Sequence, residues 1–372
     1  MASAAVLQYP VSLPTTQTAV IAGETGDFEI SSNVPLPSLQ LDEILIKTAA
    51  VGLNPVDTKL VGDFVTPGCI FGFDCAGTVI AVGSSDVHKA RGITVGDRVC
   101  GSASGMNKLK PLGGAFAEHV VLPGSLTLKI PDSLPMEDAA ALGTAVASAA
   151  MALFWSLGID PALFGSGGDN KASDEAPKAL VYGGSTCTGT MVIQLLRLCG
   201  FHVLTTCSPR NFELVKSFGA QETFDYKSSG CAAGIRAHCD NALEYAIDCV
   251  AEDSTMKFCY AAIGRAGGKY TALNPFNDTL ATRKVIQPDW ILATRITGDA
   301  SSWPAPYACE PEPRLLEMAG PVFEKIQQLL LEGKIRAHPV RVEEGGWQGL
   351  LNGVQIIRKG GVSGQKLVYK LS

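Results

Sequence analysis

The middle of the chain alternates apolar runs with stretches of helical spacing. Short apolar or β-branched runs predict six strands, and apolar residues at intervals of three and four predict helices between them. The predicted strands lie at 179–182, 201–207, 222–226, 243–250, 269–273 and 291–297, and the helices at 190–199, 211–218 and 255–263. Strands that alternate with helices form a parallel sheet with helices on both faces. The pattern therefore predicts a doubly wound α/β domain.

The sequence before residue 150 has a different pattern, because short strands follow one another without helices between them. Glycine, proline and asparagine separate apolar runs at 20–30, 43–51, 76–82, 97–100 and 117–121. This spacing is typical of a compact β-rich domain. A helix predicted at 135–157 leads out of that domain.

The end of the chain is expected to return to the β-rich domain, through a helix at 315–332 and a tail at 340–371. We therefore expect a first domain at 1–150, completed by residues 316–372, and a second domain at 151–315. Residues 161–178 are polar, glycine-bearing and aperiodic, so we expect a surface insertion there.

The turn after the first central strand has the composition of a phosphate-binding loop. Between its glycines it contains the small residues Ser185, Thr186, Cys187 and Thr188. Free backbone N–H groups and the dipole at a helix N-terminus bind anions, and the pyrophosphate of a dinucleotide is a common occupant. Thr186 stands where a G-x-G-x-x-G pattern starting at Gly184 would have its middle glycine. An ordinary strand–helix turn therefore stays open as the alternative.

The tip of the second central strand indicates which dinucleotide would bind. It carries Ser208, Pro209, Arg210 and Asn211, and no acid occurs before Glu213. In such folds an Asp or Glu at this tip bonds the ribose 2′-hydroxyl of NAD. An acid would repel a 2′-phosphate, whereas a hydroxyl and a guanidinium can bond it. The tip therefore favours NADP(H) over NAD(H), with a solvated turn as the alternative.

Composition narrows the class of protein without naming an activity. The 372 residues are 46% hydrophobic and 18% charged, with a net charge of −6, and no basic stripe indicates nucleic-acid binding. Eleven cysteines occur without C-x-x-C pairs, which favours reduced thiols and a cytoplasmic location. The N-terminus lacks the features of a signal peptide. The alanine-rich apolar run 139–158 is expected to be a buried helix, so no membrane partner is predicted.

Several longer motifs resemble the medium-chain dehydrogenase/reductase superfamily, whose GroES-like catalytic domain is split around a Rossmann domain. They are GLNPVDTK (52–59), FGFDCAGTVIAVG (71–83), VGDRVCG (95–101), GGAFAEHVV (113–121) and AAALGTAVASAA (139–150). More specific runs resemble the fungal trans-acting enoyl reductases of polyketide and polyketide–peptide hybrid pathways. These are LVYGGSTCTGT (180–190), CSPRNFELVKSFGA (207–220), TFDY (223–226) and AIGRAGGKYTALNP (262–275).

The resemblance implies an NADPH-dependent reduction of enoyl thioesters without zinc. Zinc-dependent members have a cysteine ligand at the position of Asn54 and a histidine at that of Phe73, and neither residue present suits zinc. The five histidines are dispersed along the chain, at positions 88, 119, 202, 238 and 338. We therefore expect no metal site.

The resemblance also implies a set of cofactor-binding residues. Four would line the nicotinamide side: Val56, Asp57, Thr58 and Lys59. Ser185, Thr186, Cys187 and Thr188 would hold the pyrophosphate, and Ser208, Pro209, Arg210, Asn211 and Tyr226 the 2′-phosphate and adenosine. Leu273, Asn274, Val362 and Ser363 would close over the cofactor.

Lys59 is the best ionisable candidate for a proton donor or an oxyanion partner. A role in binding phosphate, or a plain surface position, carries equal weight. Related zinc-free reductases have a catalytic tyrosine shortly after this motif, but Phe64 lies near that position here and cannot donate a proton. If Lys59 does not donate, water is the remaining source.

The substrate would be a small-molecule acyl chain on an acyl carrier domain of a polyketide or hybrid synthase. Its channel is expected to include Gly143, Thr144, Ala145, Val146, Ala147, Ser148, Ala149, Ala150, Arg295, Ile296, Thr297, Gly298 and Asp299. Small residues at 143–150 also serve close helix packing. A net charge of +5 over residues 334–372, from seven Lys or Arg and two Glu, could steer an acidic carrier. A quinone or alkenal reductase and a non-enzymatic NADP-binding scaffold are the alternatives.

Overall fold

The computed structural model describes residues 13–86, 91–164 and 176–371. Its strands are β1 (Thr16–Ala22), β2 (Phe28–Pro35), β3 (Glu43–Gly52), β4 (Asp74–Val82), β5 (Arg98–Ser102), β6 (His119–Pro123), β7 (Leu128–Lys129), β8 (Lys178–Tyr182), β9 (His202–Thr206), β10 (Glu222–Phe224), β11 (Tyr245–Asp248), β12 (Gly268–Ala272), β13 (Ile286–Trp290), β14 (Val340–Glu343) and β15 (Lys366–Lys370). Its α-helices are α1 (Met136–Ala139), α2 (Gly143–Ala150), α3 (Cys187–Leu198), α4 (Phe212–Ser217), α5 (Cys231–His238), α6 (Asp253–Ala262), α7 (Pro313–Leu331) and α8 (Gly346–Arg358).

The central sheet is wholly parallel, with strand order β10-β9-β8-β11-β12-β13. Relative to the chain this order is third, second, first, fourth, fifth, sixth, which is the order of a dinucleotide-binding Rossmann sheet. The carboxyl ends of all six strands lie at one edge, and ligands bind there in this fold. The predicted doubly wound sheet is confirmed.

A second sheet joins the two ends of the chain. Its order is β14-β15-β3-β4-β5-β7, with β6 paired to β3, and β15 runs antiparallel to β3. The tail therefore completes the sheet of the N-terminal part, as a split GroES-like domain requires. The fold class is confirmed, while the exact boundaries at 150 and 315 stay predictions. Of the expected insertion, residues 165–175 lie outside the described residues, as does His88.

Two predicted strands were wrong, and one helix was missed. The run 20–30 forms two strands, β1 and β2, because the backbone turns at 23–27, where Gly26 has a φ of +82°. The sixth central strand is β13, not 291–297; residues Ala293–Thr297 form a short 3-10 helix. Pro288 and its polar neighbours do not fit the pattern of a central strand, so β13 was not predicted. A proline is tolerated here because β13 is an edge strand. Helix α5 was missed because Gly234 and several alanines weaken its apolar period.

The helical segment after the first sheet is interrupted rather than continuous. Helices α1 and α2 are separated by residues 140–142, and α2 continues into a π-helical turn at Met151–Ser156. The stretch Met136–Ser156 is long and apolar enough to span a membrane, yet 83% of its most apolar window is buried inside the protein. It is therefore placed as a core helix, as predicted.

Candidate functional site

The turn after β8 presents open backbone donors where α3 begins. The Thr186 hydroxyl oxygen accepts from the Gly189 amide at 3.0 Å and donates to the Gly183 carbonyl at 2.8 Å, which closes the turn. A Cβ on Gly184 would lie 1.9 Å from the Thr205 hydroxyl oxygen, so only glycine fits there. Elsewhere in this turn the N–H groups of Ser185, Cys187 and Thr188 find no partner among the residues described. Three open donors at a helix N-terminus make a site for a pyrophosphate.

Cys187 contributes to this site through its backbone only. Its thiol donates to the Ala141 carbonyl at 3.2 Å, in the link between α1 and α2. Burial raises the pKa of this thiol to about 11, so it stays protonated at neutral pH. The side chain thus contacts the link between α1 and α2, which leaves the backbone N–H of Cys187 as its open donor in this turn.

The carboxyl ends of β9 and β10 form a cationic, exposed corner. The Arg210 side chain is exposed and makes no hydrogen bond or ion pair in the part of the chain that the structure describes. Tyr226 follows β10 with its side chain 37% exposed, and the Lys227 ammonium lies 5.9 Å from the centre of its ring. Ser208 begins the short turn that carries Arg210. A hydroxyl, two cations, an aromatic face and one carboxylate share this corner, the carboxylate being that of Asp225, which accepts from the backbone N–H of Lys227 at 3.0 Å.

The C-terminal tail reaches the same corner. The Asn211 amide donates to the Ser363 hydroxyl oxygen at 3.1 Å, and a Cβ on Gly364 would come within 2.9 Å of the Asn211 side-chain oxygen. The sequence-predicted residues Asn211 and Ser363 are thus brought together, with Val362 beside them. The tail spans the distance between the corner and the first sheet, which β15 joins directly afterwards.

Lys59 and Asn274 approach each other from the two domains. Lys59 ends the 3-10 turn Pro55–Thr58 of the first domain, and Asn274 follows β12 of the central sheet. The amide of Asn274 satisfies its neighbours when its oxygen accepts from the Lys59 ammonium at 3.3 Å and its nitrogen donates to the Leu273 carbonyl at 3.3 Å. Thr58, the residue before Lys59, is bound from α8, because the Arg358 guanidinium donates to the Thr58 carbonyl at 3.4 Å.

Behind this turn lies a buried polar network that the sequence did not reveal. The Lys366 ammonium donates to Asp74 at 2.5 Å and to the Asn54 side-chain oxygen at 2.7 Å, and the Asn54 amide donates to the same Asp74 oxygen at 2.9 Å. The other Asp74 oxygen accepts from the Thr144 amide at the start of α2. Burial alone would lower the pKa of Lys366, but the Asp74 carboxylate raises it. The network therefore joins four segments in charged form: the turn at Asn54, β4, the start of α2 and β15.

Asp57 is turned into the protein rather than toward a cofactor. Its side chain is fully buried, and one carboxyl oxygen accepts from the backbone N–H of Asn54 at 2.7 Å, which caps the turn. Burial raises its pKa to about 7. The Asp57 side chain thus shapes the turn from inside the protein, and the expected place of this residue on the nicotinamide side stays a prediction. Val56 and Thr58 are half-buried, and Lys59 is exposed.

The position of a catalytic zinc does not offer a suitable donor set. The Asn54 oxygen already faces an ammonium group, and Phe73 is buried with its ring 6.1 Å from that of Trp303. A cation between Asn54 and Lys366 would meet a positive charge instead of a ligand. Away from this position, at the amino ends of β9 and β10, His202, Glu222 and the α5 residue His238 place their donor atoms within 4.8 Å of one another. The histidines are therefore less dispersed than expected.

The expected substrate channel divides into two parts. Gly143, Ala145, Val146, Ser148, Ala149 and Ala150 are buried, and a Cβ on Gly143 would lie 2.3 Å from the Gly101 carbonyl. Close packing of α2 against its neighbours explains these small residues, so they offer no free surface. Ala147 borders a small cavity together with Thr294, Ile296 and Thr297. A second cavity is lined by Ser104, Arg295, Thr297 and Asp299. A role for these residues in substrate binding stays a prediction.

Comparison with known proteins decides the family. The model of the alcohol dehydrogenase GroES-like domain matches residues 40–132, and that of the zinc-binding dehydrogenases matches residues 187–273. The chain is 57% identical over 357 residues to the trans-enoyl reductase buaC of Petromyces alliaceus. The aligned region covers 96% of this chain and 98% of that protein. It is 46% identical to the trans-enoyl reductase FSL5 of Gibberella zeae, over 97% of this chain and 98% of that protein.

The chain belongs to the trans-enoyl reductases. This family lies within the medium-chain dehydrogenase/reductase superfamily, as the sequence motifs predicted. Solved structures agree on the fold. The CurK enoyl reductase superposes with a TM-score of 0.70 at 17% identity, over 96% of this chain and 99% of that chain. Mycobacterial Rv1454c, solved with NADPH, superposes with a TM-score of 0.66 at 20% identity, over 95% and 99%.

Sequence reasoning missed several residues of this trans-enoyl reductase. A single acid, Asp74, within the apolar run 71–83 and a lysine, Lys366, inside β15 were signals for a buried ion pair. Lys227 directly follows a predicted adenosine contact and could have been included. Tyr307 lies in an aperiodic segment, and no sequence signal connected it with Asn274, whose amide is 3.5 Å from its hydroxyl oxygen.

The basic C-terminal segment of this trans-enoyl reductase is not one surface patch. Lys366 is buried, and Arg358 binds the Thr58 carbonyl. The others mostly have partners of their own: Lys334 with Glu332, Arg336 with Ser217, Arg341 with Glu343 and Lys370 with Glu137. Lys359 is exposed, and the expected steering of an acidic carrier by the net charge of +5 over residues 334–372 stays a prediction.

Proposed function

We propose that this trans-enoyl reductase uses NADPH to reduce the α,β-double bond of enoyl thioesters held on an acyl carrier domain of a polyketide or polyketide–peptide hybrid synthase. The observation that carries the proposal is the meeting of Lys59 and Asn274 at 3.3 Å, at the sheet edge where the open donors of the phosphate turn also lie. A cation and an amide from different domains at one edge can hold a thioester beside a nicotinamide.

NADPH rather than NADH is favoured by the exposed corner at β9 and β10. Arg210 and Lys227 supply positive charge for a 2′-phosphate, and the Ser208 hydroxyl can bond it. No acidic side chain precedes Glu213 after β9. Rv1454c, a protein of the same fold, was solved as a complex with NADPH.

In this reaction the bound cofactor supplies a hydride to the β-carbon of the enoyl thioester. Negative charge then develops on the thioester oxygen as an enolate. The Lys59 ammonium, held toward the cleft by Asn274, stabilises that oxyanion electrostatically. The buried Lys366–Asp74 pair fixes the turn that carries Lys59, because Asn54, which begins the turn, bonds both members of the pair. No metal is needed as a Lewis acid in this scheme.

The partner follows from the family name and the substrate chemistry. The curated relatives are named trans-enoyl reductases, and a trans-acting enzyme serves a substrate that another protein carries. We propose that an acyl carrier domain delivers the chain to the cleft in the cytoplasm. We propose that the residues bordering these two cavities, Ala147 and Thr297 among them, flank the acyl chain, while each cavity itself has room for about one water molecule.

The test compares substrates at equal concentration and follows NADPH oxidation at 340 nm. We expect rapid reduction of a carrier-bound enoyl thioester, slower reduction of its short free thioester, and little activity toward quinones or alkenals. Preference for free quinones or alkenals would replace the proposal with the small-molecule reductase. Tight NADPH binding without turnover of any acceptor would instead indicate a scaffold.

A further inference from the structure

One hydroxyl group at the proposed site has no function in the scheme above. The Tyr307 oxygen lies 3.5 Å from the side-chain amide of Asn274, the residue that also contacts Lys59. Tyr307 lies between the 3-10 turn Ala293–Thr297 and α7, so a third segment of the chain reaches the meeting point of the two domains. Among the hydrogen bonds of the described residues, this is the one that brings a side-chain hydroxyl to Asn274.

The ring of Tyr307 is held rigidly. It makes edge-to-face contacts with Phe64 at 5.6 Å, Trp290 at 5.7 Å and Trp303 at 6.0 Å between ring centres. Trp303 is itself fixed, because its indole N–H donates to the Met106 carbonyl at 2.9 Å. Aromatic pairs of this geometry favour one ring orientation. The hydroxyl is therefore presented at a defined place and is the only polar group on the ring.

The orientation of Asn274 determines which way the Tyr307 proton points. With the amide oxygen toward the Lys59 ammonium, the atom 3.5 Å from the Tyr307 oxygen is the amide nitrogen. The nitrogen can only donate, so the tyrosine oxygen acts as the acceptor and its own proton is free. Catalytic hydrogen bonds of this length often tighten when a substrate binds.

The same contact makes the hydroxyl a better acid. A hydrogen bond donated to a phenol oxygen stabilises the phenolate that remains after the proton leaves. The donor here is an amide whose oxygen faces a cation, and this polarises its N–H bond further. Burial by the aromatic rings raises the pKa of Tyr307 and opposes this effect, so the group stays protonated before the reaction.

We propose that Tyr307 is the catalytic proton donor, and that Lys59 and Asn274 orient and polarise it. The inference rests on the proposed function. As the hydride forms the new C–H bond at the β-carbon, the π electron pair of the double bond moves toward the α-carbon and the thioester oxygen. The O–H bond of Tyr307 then breaks, and its proton forms the new C–H bond at the α-carbon. The carbonyl is restored, and the phenolate takes a proton from water.

The experiment uses the Tyr307→Phe variant and an α-methyl enoyl thioester, whose reduction creates a stereocentre at the α-carbon. A fixed donor delivers the proton to one face, whereas water delivers it to both. We expect kcat to fall by roughly 100-fold or more and the product to become a mixture of α-epimers. NADPH affinity, measured by quenching of tryptophan fluorescence, should not change. Tyr245→Phe is the matched control, because Tyr245 begins β11 and so lies at the amino ends of the strands, away from the cleft. This variant should behave as the wild type.

A product of a single α-configuration from Tyr307→Phe would overturn the proposal, whatever the rate. A loss of NADPH affinity as large as the loss of kcat would also overturn it, because the hydroxyl would then serve the cofactor. Asn274→Asp is the second variant, since a carboxylate accepts the Tyr307 proton and holds it back. It should produce the same epimer mixture, and a single epimer at normal rate would contradict the inference. An inactive wild type would instead refute the proposed function itself.

Discussion

Removing the charge of Lys366 should destabilise the protein more than any single surface change. The side chains of Lys366 and Asp74 are only 3% and 0% exposed, and they join β15 to β4. Lys366→Met keeps the length and the apolar stem but leaves the Asp74 carboxylate with only the Asn54 amide and the Thr144 amide as donors. Breaking one member out of a buried pair typically costs about 3–5 kcal/mol, because the remaining charge is uncompensated.

The structure around Lys366 has little room to rearrange and so to reduce this cost. A Cβ on Gly52 would lie 2.6 Å from both the Lys366 side chain and the Ala140 carbonyl, so the pair is enclosed by backbone on that side. Water therefore has little room to solvate the Asp74 carboxylate once the ammonium is gone. The full penalty should appear in the free energy of unfolding.

The assay is thermal unfolding at pH 7.5, followed by circular dichroism. We expect the midpoint of Lys366→Met to fall by roughly 5–10 °C. The double variant Lys366→Met with Asp74→Asn removes both charges and should recover most of that loss, since replacing a whole buried pair is often nearly neutral. A single variant within about 1 °C of the wild type would refute the reasoning. A double variant as unstable as the single one would assign the effect to packing rather than to charge.

Four further outcomes are expected. Burial raises the pKa of Asp57 from 3.8 to about 7. The folded state therefore keeps a proton on this carboxyl group that the unfolded state loses. The contribution of Asp57 to the free energy of unfolding is fully present below pH 4 and is lost as the pH rises through 7. The free energy of unfolding of Asp57→Asn should therefore rise relative to that of the wild type as the pH is raised from 5 to 8, by up to about 2–3 kcal/mol. A difference in melting midpoint that is the same at every pH would contradict this. Arg210→Ala should weaken NADPH binding by roughly 1.5–3 kcal/mol and leave NADH binding nearly unchanged; equal losses in a titration would remove the argument for a 2′-phosphate site. Lys59→Met should lower kcat by about 100-fold or more with unchanged NADPH affinity, whereas a normal kcat with weaker binding would assign the lysine to the cofactor. Exhaustive chelation should leave the reduction rate unchanged, and activity that returns only with zinc would restore a metal mechanism.

Local patterns in the sequence carried most of the fold and the cofactor site. The short apolar runs and small-residue turns of a Rossmann sheet depend on neighbouring residues, and so does the phosphate turn at 183–189, which forms within one strand–helix unit. The tip at Ser208 and Arg210 could be interpreted for the same reason. Strand β13 could not, because its proline and polar residues are tolerated only at a sheet edge, and its place at the edge is a property of the whole sheet.

The part of the site where chemistry would occur depends on contacts between distant parts of the chain. Lys366 and Asp74 are 292 residues apart, and Tyr307 is 33 residues from Asn274 across an aperiodic segment. Sequence spacing carries no information about such pairs, since their distance follows from how two sheets and a returning tail pack together. Asp57, which the resemblance places on the nicotinamide side, shows both influences: the backbone N–H of Asn54, three residues earlier, bonds its carboxylate, and the packing of the rest of the domain buries it. The sequence determined most strands and the phosphate turn, because these depend on neighbouring residues, and the tertiary packing decided the edge strand β13 and which side chains meet at the cleft.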